Sequence, residues 1–230
     1  MKIMVIGGGA REDALSWRLA QSASCESLVH APGNAGTASR GENVPIGATD
    51  TRAMVACAKE RAIDLVVVGP ETALAAGSAD KLRDAVIAVF GPNRSGARLE
   101  SSKAFAKRFM ERHGVPTARF AVVHNLAQAR KALPQFSSGV VVKADGLAGG
   151  KGVTVCDSPG EAEALLAGWY EKGTLPGGGS DVVLEERMSG REMSVFAISD
   201  GRAMGRFTAV WCAGRPPIHN TSVPRAAPKQ

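Results

Sequence analysis

The residues best suited to chemistry lie in one decapeptide between two apolar runs, Lys143-Ala144-Asp145-Gly146-Leu147-Ala148-Gly149-Gly150-Lys151-Gly152. Four glycines and two lysines there describe a flexible flap whose amides can fold over a polyphosphate while Lys143 reaches the phosphates from its strand. A plain surface hairpin is the competing reading, but a hairpin needs neither lysine. The segment is not a P-loop. The residue five before Gly150 is Asp145, Gly152 replaces Ser or Thr, and a strand rather than a helix follows. Upstream, Lys103 opens a helical pattern and supplies a second cation. Downstream, Val182-Val183-Leu184-Glu185-Glu186-Arg187-Met188 is an apolar strand ending in acids. Such a strand can offer main-chain groups to an adenine edge, and Glu192 can accept ribose hydroxyls.

A second constellation, Gly7-Gly8-Gly9-Ala10-Arg11-Glu12, follows a strand and opens a helix, so its amides are expected to face an incoming anion. A dinucleotide fold would place a third glycine where Glu12 stands and an acid at the end of the second strand, where His30-Ala31-Pro32 stands. The NAD reading fails on both counts. A phosphate site and a purely structural turn both remain open.

These residues need a scaffold, and the first hundred supply the grammar of an α/β fold with a parallel sheet. Strands are read at Lys2 to Ile6, Ser27 to Ala31, Ile63 to Val68 and Ala85 to Phe90. Helices are read at Arg11 to Gln21, with Ala14, Leu15, Trp17, Arg18 and Leu19 on the buried side, and at Thr51 to Arg61. A second unit begins near Ser101, with helices at Ser102 to His113 and Asn125 to Leu133 and a strand at Val140 to Lys143. It continues with a strand at Gly152 to Cys156, a helix opened by the box Ser158-Pro159-Gly160-Glu161 and running to about Lys172, and strands at Asp181 to Glu186 and Met193 to Ser199. Asp200-Gly201 reads as a hairpin turn. Met110 and Phe109 read as helix core. The expected domains are residues 1–100, 101–204 and an irregular, Pro-rich tail at 205–230.

Composition narrows the function classes. At 230 residues, 44% hydrophobic and 22% charged, the chain has ample apolar material for a core. No apolar run is long enough to span a membrane, and Met1 to Gly7 does not read as a secretory leader, so a cytoplasmic protein is expected. Of the net charge of +6, five belong to residues 201–230, since the first 200 residues carry 23 Lys and Arg against 22 Asp and Glu. No lysine face for nucleic acid is therefore read. Cys25, Cys57, Cys156 and Cys212 form no CxxC pair, and His30, His113, His124 and His219 form no metal-ligand pattern.

Several stretches together carry a family resemblance: Gly9 to Trp17 (GAREDALSW), Ala31 to Ala38 (APGNAGTA), Val67 to Glu71 (VVGPE), Leu99 to Lys107 (LESSKAFAK) and Lys143 to Val153 (KADGLAGGKGV). Through Glu185-Glu186 and Glu192-Met193-Ser194 to about residue 204, the chain resembles the phosphoribosylamine-glycine ligases, ATP-grasp enzymes of purine synthesis. The resemblance implies a parallel-sheet N-terminal domain followed by a partial ATP-grasp domain. It implies ligation of glycine to 5-phosphoribosylamine through a glycyl phosphate, giving glycinamide ribonucleotide, ADP and phosphate. Lys103 and Lys143 would hold the ATP phosphates, and Gly146, Gly149, Gly150, Lys151 and Gly152 would cover them. Glu185, Glu186, Arg187 and Met188 would meet adenine and Glu192 the ribose. The loops bearing Gly9, Arg11 and Glu12, then Gly33, Asn34 and Gly36, then Gly69, Pro70 and Glu71, would bind phosphoribosylamine.

The resemblance also implies magnesium with ATP, a monomer in the intact family, small-molecule substrates, and neither nucleic-acid nor membrane partners. The family's magnesium ligands would lie past the last residue here. A truncated, inactive remnant that keeps only nucleotide or phosphate binding is the alternative. Two departures bear on the substrate loops: Ala10 is expected to strain a turn needing positive φ, and Asp13, in place of the usual histidine, to repel a phosphate. From Gly205 the acids vanish and Pro216, Pro217, Pro224 and Pro228 crowd in, marking the tail as replaced sequence from a frame change, splicing or a gene-model error.

Overall fold

The computed structural model describes residues 1–147, 152–177, 179–190, 193–206 and 210–211. The chain divides into two compact units, Met1–Ser102 and Lys103–Gln230. In the first, β1 (Lys2–Gly7), α1 (Ala10–Leu19), β2 (Ser27–Pro32), β3 (Glu42–Asn43), α2 (Thr51–Glu60) and β4 (Leu65–Val68) are followed by α3 (Glu71–Ala75), α4 (Ser78–Asp84), β5 (Ala88–Phe90) and α5 (Arg94–Ser101). The strands form a parallel sheet in the order β3-β2-β1-β4-β5, with Lys2 opposite Ser27 and Ile3 opposite Leu65. A parallel sheet is covered on both faces, so its central strands must be apolar throughout. Met4, Val5, Ile6 and Val66 accordingly have no exposed surface.

The α1 face differs from the expectation. Its buried residues are Glu12 and Ser16, with Leu15 and Leu19 packed beside them, while Trp17 is 55% exposed and Ala14 and Arg18 face solvent. The helix turns a carboxylate inward because that carboxylate caps its own first turn. The expected strand at Ala85 to Phe90 shortens to β5, since Ala85 and Val86 close the turn after α4.

In the second unit, α6 (Lys103–Arg112), β6 (Phe120–Val123), α7 (Leu126–Ala132), β7 (Val140–Ala144), β8 (Val153–Cys156), α8 (Pro159–Glu171) and β9 (Val182–Glu186) precede β10 (Met193–Ser194), β11 (Ala197–Ser199), β12 (Met204–Arg206) and β13 (Val210–Trp211). The main sheet is antiparallel, in the order β6-β9-β7-β8. One of its faces, with Val140, Val142, Ala144, Val182 and Leu184, packs on α7 and α8 around Leu166 and Trp169. Val141, Lys143, Val183 and Glu185 occupy the other face, by strand alternation. The α8 cap forms as read, Ser158 Oγ accepting from the Glu161 N–H at 3.2 Å, but Glu161 reaches back to the Asp157 N–H at 2.8 Å, one residue before the cap.

The single strand expected over Met193 to Ser199 is interrupted into β10 and β11, and β6 was not legible. The Asp200 turn joins β11 to β12, with Asp200 Oδ1 accepting from the N–H groups of Arg202 and Ala203 at 2.8 and 2.7 Å. β12 and β13 correct the expectation of irregular chain from Gly205, as far as Trp211. The rest of the tail, with Cys212 and His219, lies outside the described residues. Phe109 is 36% exposed, stacked 4.3 Å from His113, whereas Met110 is buried. No helix among the described residues is long and apolar enough to cross a membrane.

His30, on β2, is wholly buried, and neither ring nitrogen makes a hydrogen bond of ordinary geometry. Burial pushes its pKa below the usual value, although the Glu42 main chain and the Asn43 side chain partly favour the charged form. The unfolded state therefore binds the proton more readily. Stability is full above the unfolded pKa of about 6.5 and falls as the pH drops below it, by up to about 1.4 kcal/mol per pH unit. Urea midpoints at pH 7.5 and 5.5 should differ, and His30→Gln should remove that part of the difference. Equal pH dependence in the two proteins refutes the assignment.

Candidate active site

The candidate side chains gather in one group in each unit. In the first, the strand order reverses between β1 and β4, the place where open parallel sheets bind ligands at their carboxyl ends. The loops after β1, β2 and β4 are stitched together there. Asn34 Nδ2 donates to the carbonyls of Gly8 and Gly9 at 3.1 and 3.3 Å, and its Oδ1 accepts from the N–H groups of Gly36 and Thr37 at 2.8 and 3.0 Å. The Gly33 N–H donates to the Gly7 carbonyl at 3.1 Å. Arg11 Nη1 donates to the Gly69 carbonyl at 2.8 Å and lies 3.6 Å from Glu71 Oε2, leaving an exposed guanidinium over the loops. Pro70 caps α3, which Glu71 begins.

Glu12 is part of this structure's skeleton. It is 5% exposed, and its Oε2 accepts from the Gly9 N–H at 2.7 Å, so that amide is turned to a side chain and not outward as expected. The carboxylate fits only because Gly69 and Gly7 lack side chains: a Cβ on Gly69 would fall 2.1 Å from Glu12 Oε1, and one on Gly7 would fall 2.6 Å from Glu12 Cγ. Ala10 is the first residue of α1, and the non-glycine residues with positive φ are Ala62 and Val86, so the expected strain at Ala10 is absent. Asp13 is ion-paired with Arg40, which also donates to the Gly36 carbonyl at 3.0 Å. Its charge is met by a guanidinium, which answers the expected repulsion. A concavity of about 610 Å³ lined by Lys2, Glu26, Glu42 and Arg61 lies at the amino ends of β1 and β2, the end from which such sheets do not bind ligands.

The second group sits on the face of the antiparallel sheet away from α7 and α8. Val141 pairs with Glu185 across β7 and β9, which sets Lys143 and Glu185 as diagonal neighbours on one face. Lys143 Nζ lies 3.0 Å from Glu185 Oε1, and Lys107 Nζ, from α6, lies 3.2 Å from Glu185 Oε2. Lys143, Lys107 and Glu185 are 1%, 2% and 0% exposed. Lys107 is further fixed by Thr117 Oγ1 at 2.7 Å and the Ala118 carbonyl at 3.5 Å, with its ammonium 5.7 Å from the Phe120 ring centre. Burial pushes the Lys107 pKa down, and Glu185 opposes that shift. Two ammoniums approach one carboxylate, with the Glu186 charge also felt by Lys107, in a low-dielectric setting where an added anion interacts strongly with them.

Lys103, one turn before Lys107, donates to the Gly146 carbonyl at 2.8 Å, at the base of the β7–β8 connection. Asp145 Oδ1 accepts from the Ala104 N–H at 3.1 Å, so the connection caps the helix that bears both lysines. Gly146 has φ of +88°, and the Ala144 N–H donates to the Gly152 carbonyl at 2.8 Å. Gly149, Gly150 and Lys151 lie outside the described residues, as does Glu192. The acids at the end of β9 take separate roles. Glu185 turns into the lysine cluster, and Glu186 Oε1 accepts from the Arg119 N–H at 2.8 Å. Arg187 is ion-paired with Asp157, and its N–H donates to the Gly139 carbonyl at 3.3 Å; Met188 beside it is half-buried.

Sequence reasoning missed Lys107, Thr117 and the capping role of Asp145. The signal for Lys107 was its i,i+4 spacing from Lys103. Among the described residues there is no group of three or more His, Cys, Asp or Glu side chains placed to hold a metal. Cys25, Cys57 and Cys156 form no disulfide, and burial pushes the Cys156 thiol up to about 11, which leaves it unreactive.

Residues 1–100 match the family described as phosphoribosylglycinamide synthetase, N domain, and residues 101–211 match its ATP-grasp (A) domain. A phosphoribosylamine–glycine ligase of Phenylobacterium zucineum is 48% identical over 203 residues, covering 88% of this chain and 48% of the relative. The crystal structure of phosphoribosylamine–glycine ligase from Thermotoga maritima superposes with a TM-score of 0.74 at 30% identity, over 91% of this chain and 49% of that one. N5-carboxyaminoimidazole synthetase of Staphylococcus aureus, solved in complex with ADP, shares the fold at TM-score 0.72 and 17% identity, over 93% of this chain and 55% of that one. The chain spans about half the length of the curated relatives it matches.

Proposed function

Because this chain belongs to the phosphoribosylglycinamide synthetase family, across its N and ATP-grasp domains, we propose that it supplies the substrate loops and part of the nucleotide site of an ATP-dependent carbon–nitrogen ligase. The reaction is the joining of glycine to 5-phosphoribosylamine. A glycine carboxylate oxygen attacks the γ-phosphorus of ATP and ADP leaves. The amine nitrogen then attacks the acyl carbon of the glycyl phosphate, loses a proton, and phosphate leaves with the acyl-bound oxygen. The demands on the protein are to neutralise the transferring phosphoryl group and to keep water from the acyl phosphate.

The buried cluster of Lys107, Lys143 and Glu185, two ammoniums against one carboxylate, is the observation that carries this reading. Lys143 and Lys103 meet the phosphates, and the connection from Gly146 to Gly152, with Gly149, Gly150 and Lys151, covers them. The main chain of Glu185, Glu186, Arg187 and Met188 faces adenine, and Glu192 takes the ribose hydroxyls. Arg11 and the loops of Gly9, Gly33, Asn34, Gly36, Gly69, Pro70 and Glu71 hold phosphoribosylamine, with Glu12 bracing Gly9 from behind. The site of action is the cytoplasm. Magnesium is the metal expected to accompany ATP.

Titration of the full chain with ATP, followed calorimetrically, should show binding that weakens at least about tenfold in Lys143→Met, the loss of one charge-assisted contact to phosphate. ADP release that requires both glycine and phosphoribosylamine supports the ligase. Binding without release supports a second reading, a nucleotide-binding remnant. Absence of ATP binding overturns both.

A further inference from the structure

The proposed role of Lys143 meets an obstacle in its own surroundings. The ammonium lies 3.0 Å from Glu185 Oε1 and is 1% exposed, so before it can serve a phosphate it must loosen its hold on a carboxylate that has no access to water. A bare carboxylate at that depth is strongly disfavoured, and a pair isolated there would be a trap for the lysine. The other oxygen, however, is already held. Lys107 Nζ lies 3.2 Å from Glu185 Oε2 and is anchored from behind by Thr117 Oγ1 at 2.7 Å and by the Ala118 carbonyl. Its anchors lie on the segment leading into β6, which pairs with β9 on the side opposite β7.

We propose that Lys107 is a positioning residue, the standing counter-ion of Glu185, which allows Lys143 to be handed from the carboxylate to a nucleotide phosphate. The inference rests on the reading of Lys143 as a phosphate cation. Before the handover two cations share one anion. After it, Lys107 stays beside Glu185 as its counter-ion, and the ammonium of Lys143 turns to the ligand. Charge is conserved within the cluster, and no proton needs to move. Lys103 cannot replace Lys107 in this, because its ammonium is directed to the Gly146 carbonyl one helical turn away.

The test compares adenosine, AMP, ADP and ATP as ligands for the full chain and for Lys107→Met, Lys107→Arg, Lys107→Met with Glu185→Gln, and Lys143→Met, each checked by circular dichroism and thermal melting. In Lys107→Met, ATP and ADP affinity should fall about tenfold or more while adenosine affinity stays within about twofold, since only ligands with phosphates call on Lys143. Lys107→Arg should retain ATP binding. Adding Glu185→Gln to Lys107→Met should restore most of it, because a neutral amide no longer retains Lys143. The restored double variant also carries the test if Lys107→Met alone fails to fold. Three results overturn the proposal: ATP affinity unchanged in Lys107→Met, equal losses for adenosine and ATP, or no recovery in the double variant. If Lys143→Met binds ATP as well as the parent chain does, the phosphate reading of Lys143 falls and this inference with it. If Lys143→Met loses ATP while Lys107→Met keeps it, only the role of Lys107 falls.

Discussion

Replacement of Glu185 by alanine is expected to cost about 3–5 kcal/mol of folding stability, because it leaves two ammoniums buried without the carboxylate that compensates them. Against a domain stability of about 5–15 kcal/mol, that loss brings the second unit close to unfolding at room temperature. The cost arises from breaking the cluster, not from its absence. Lys107→Met, Glu185→Leu and Lys143→Met made together should recover most of the stability, since apolar side chains of similar volume fill the same dry space without desolvating any charge. The same triple variant should lose ATP binding. Urea unfolding monitored by circular dichroism distinguishes the cases, with a low midpoint expected for the single variant and a near-parental one for the triple. A midpoint for Glu185→Ala within about 0.5 kcal/mol of the parent, the usual range for a surface change, would falsify the view of this cluster as closed to water.

That cluster also marks where the sequence ceased to be readable. Lys143 stood out because it ends a run of valines before a glycine-rich segment, and Glu185 because it follows one on β9. Their meeting depends on Val141 facing Glu185, a register between strands some forty positions apart, and no local pattern encodes such a pairing. Lys107 was harder still. A lysine on a short helix that also carries Arg108, Glu111 and Arg112 reads as a solvated face, and only tertiary packing turns it inward. β6 escaped notice because its four residues follow Val115-Pro116 without a turn signal, and β3 because it has only two. The elements with strong local causes were legible to within a few residues. β1 and β4 are β-branched runs that end at glycine, and α8 has its serine cap, its proline and its returning glutamate. On α1 the periodicity pointed to Trp17, but the inner face goes to Glu12, whose carboxylate satisfies the helix start, while Trp17 is 55% exposed.

The inward turn of Glu12 leaves Gly69 no room for a methyl group. A Cβ there would lie 2.1 Å from Glu12 Oε1 and 2.5 Å from Glu12 Cγ, and the carboxylate cannot swing aside without releasing the Gly9 N–H that it holds at 2.7 Å. Gly69→Ala is therefore expected to cost about 3 kcal/mol, combining overpacking with a helix start left short of its partner. The phosphoribosylamine binding proposed for these loops should suffer as well, because Arg11 takes its position from the Gly69 carbonyl. Glu12→Ala supplies the control. It costs the cap, about 1 kcal/mol, but it also vacates the space, so Gly69→Ala added to it should cost far less than it does in the parent chain. The coupling between the two changes should exceed about 1 kcal/mol in a double-mutant cycle read by urea unfolding. Additive losses would mean that the loop after β4 yields independently of Glu12, and the bracing role given to that carboxylate would then have to be withdrawn.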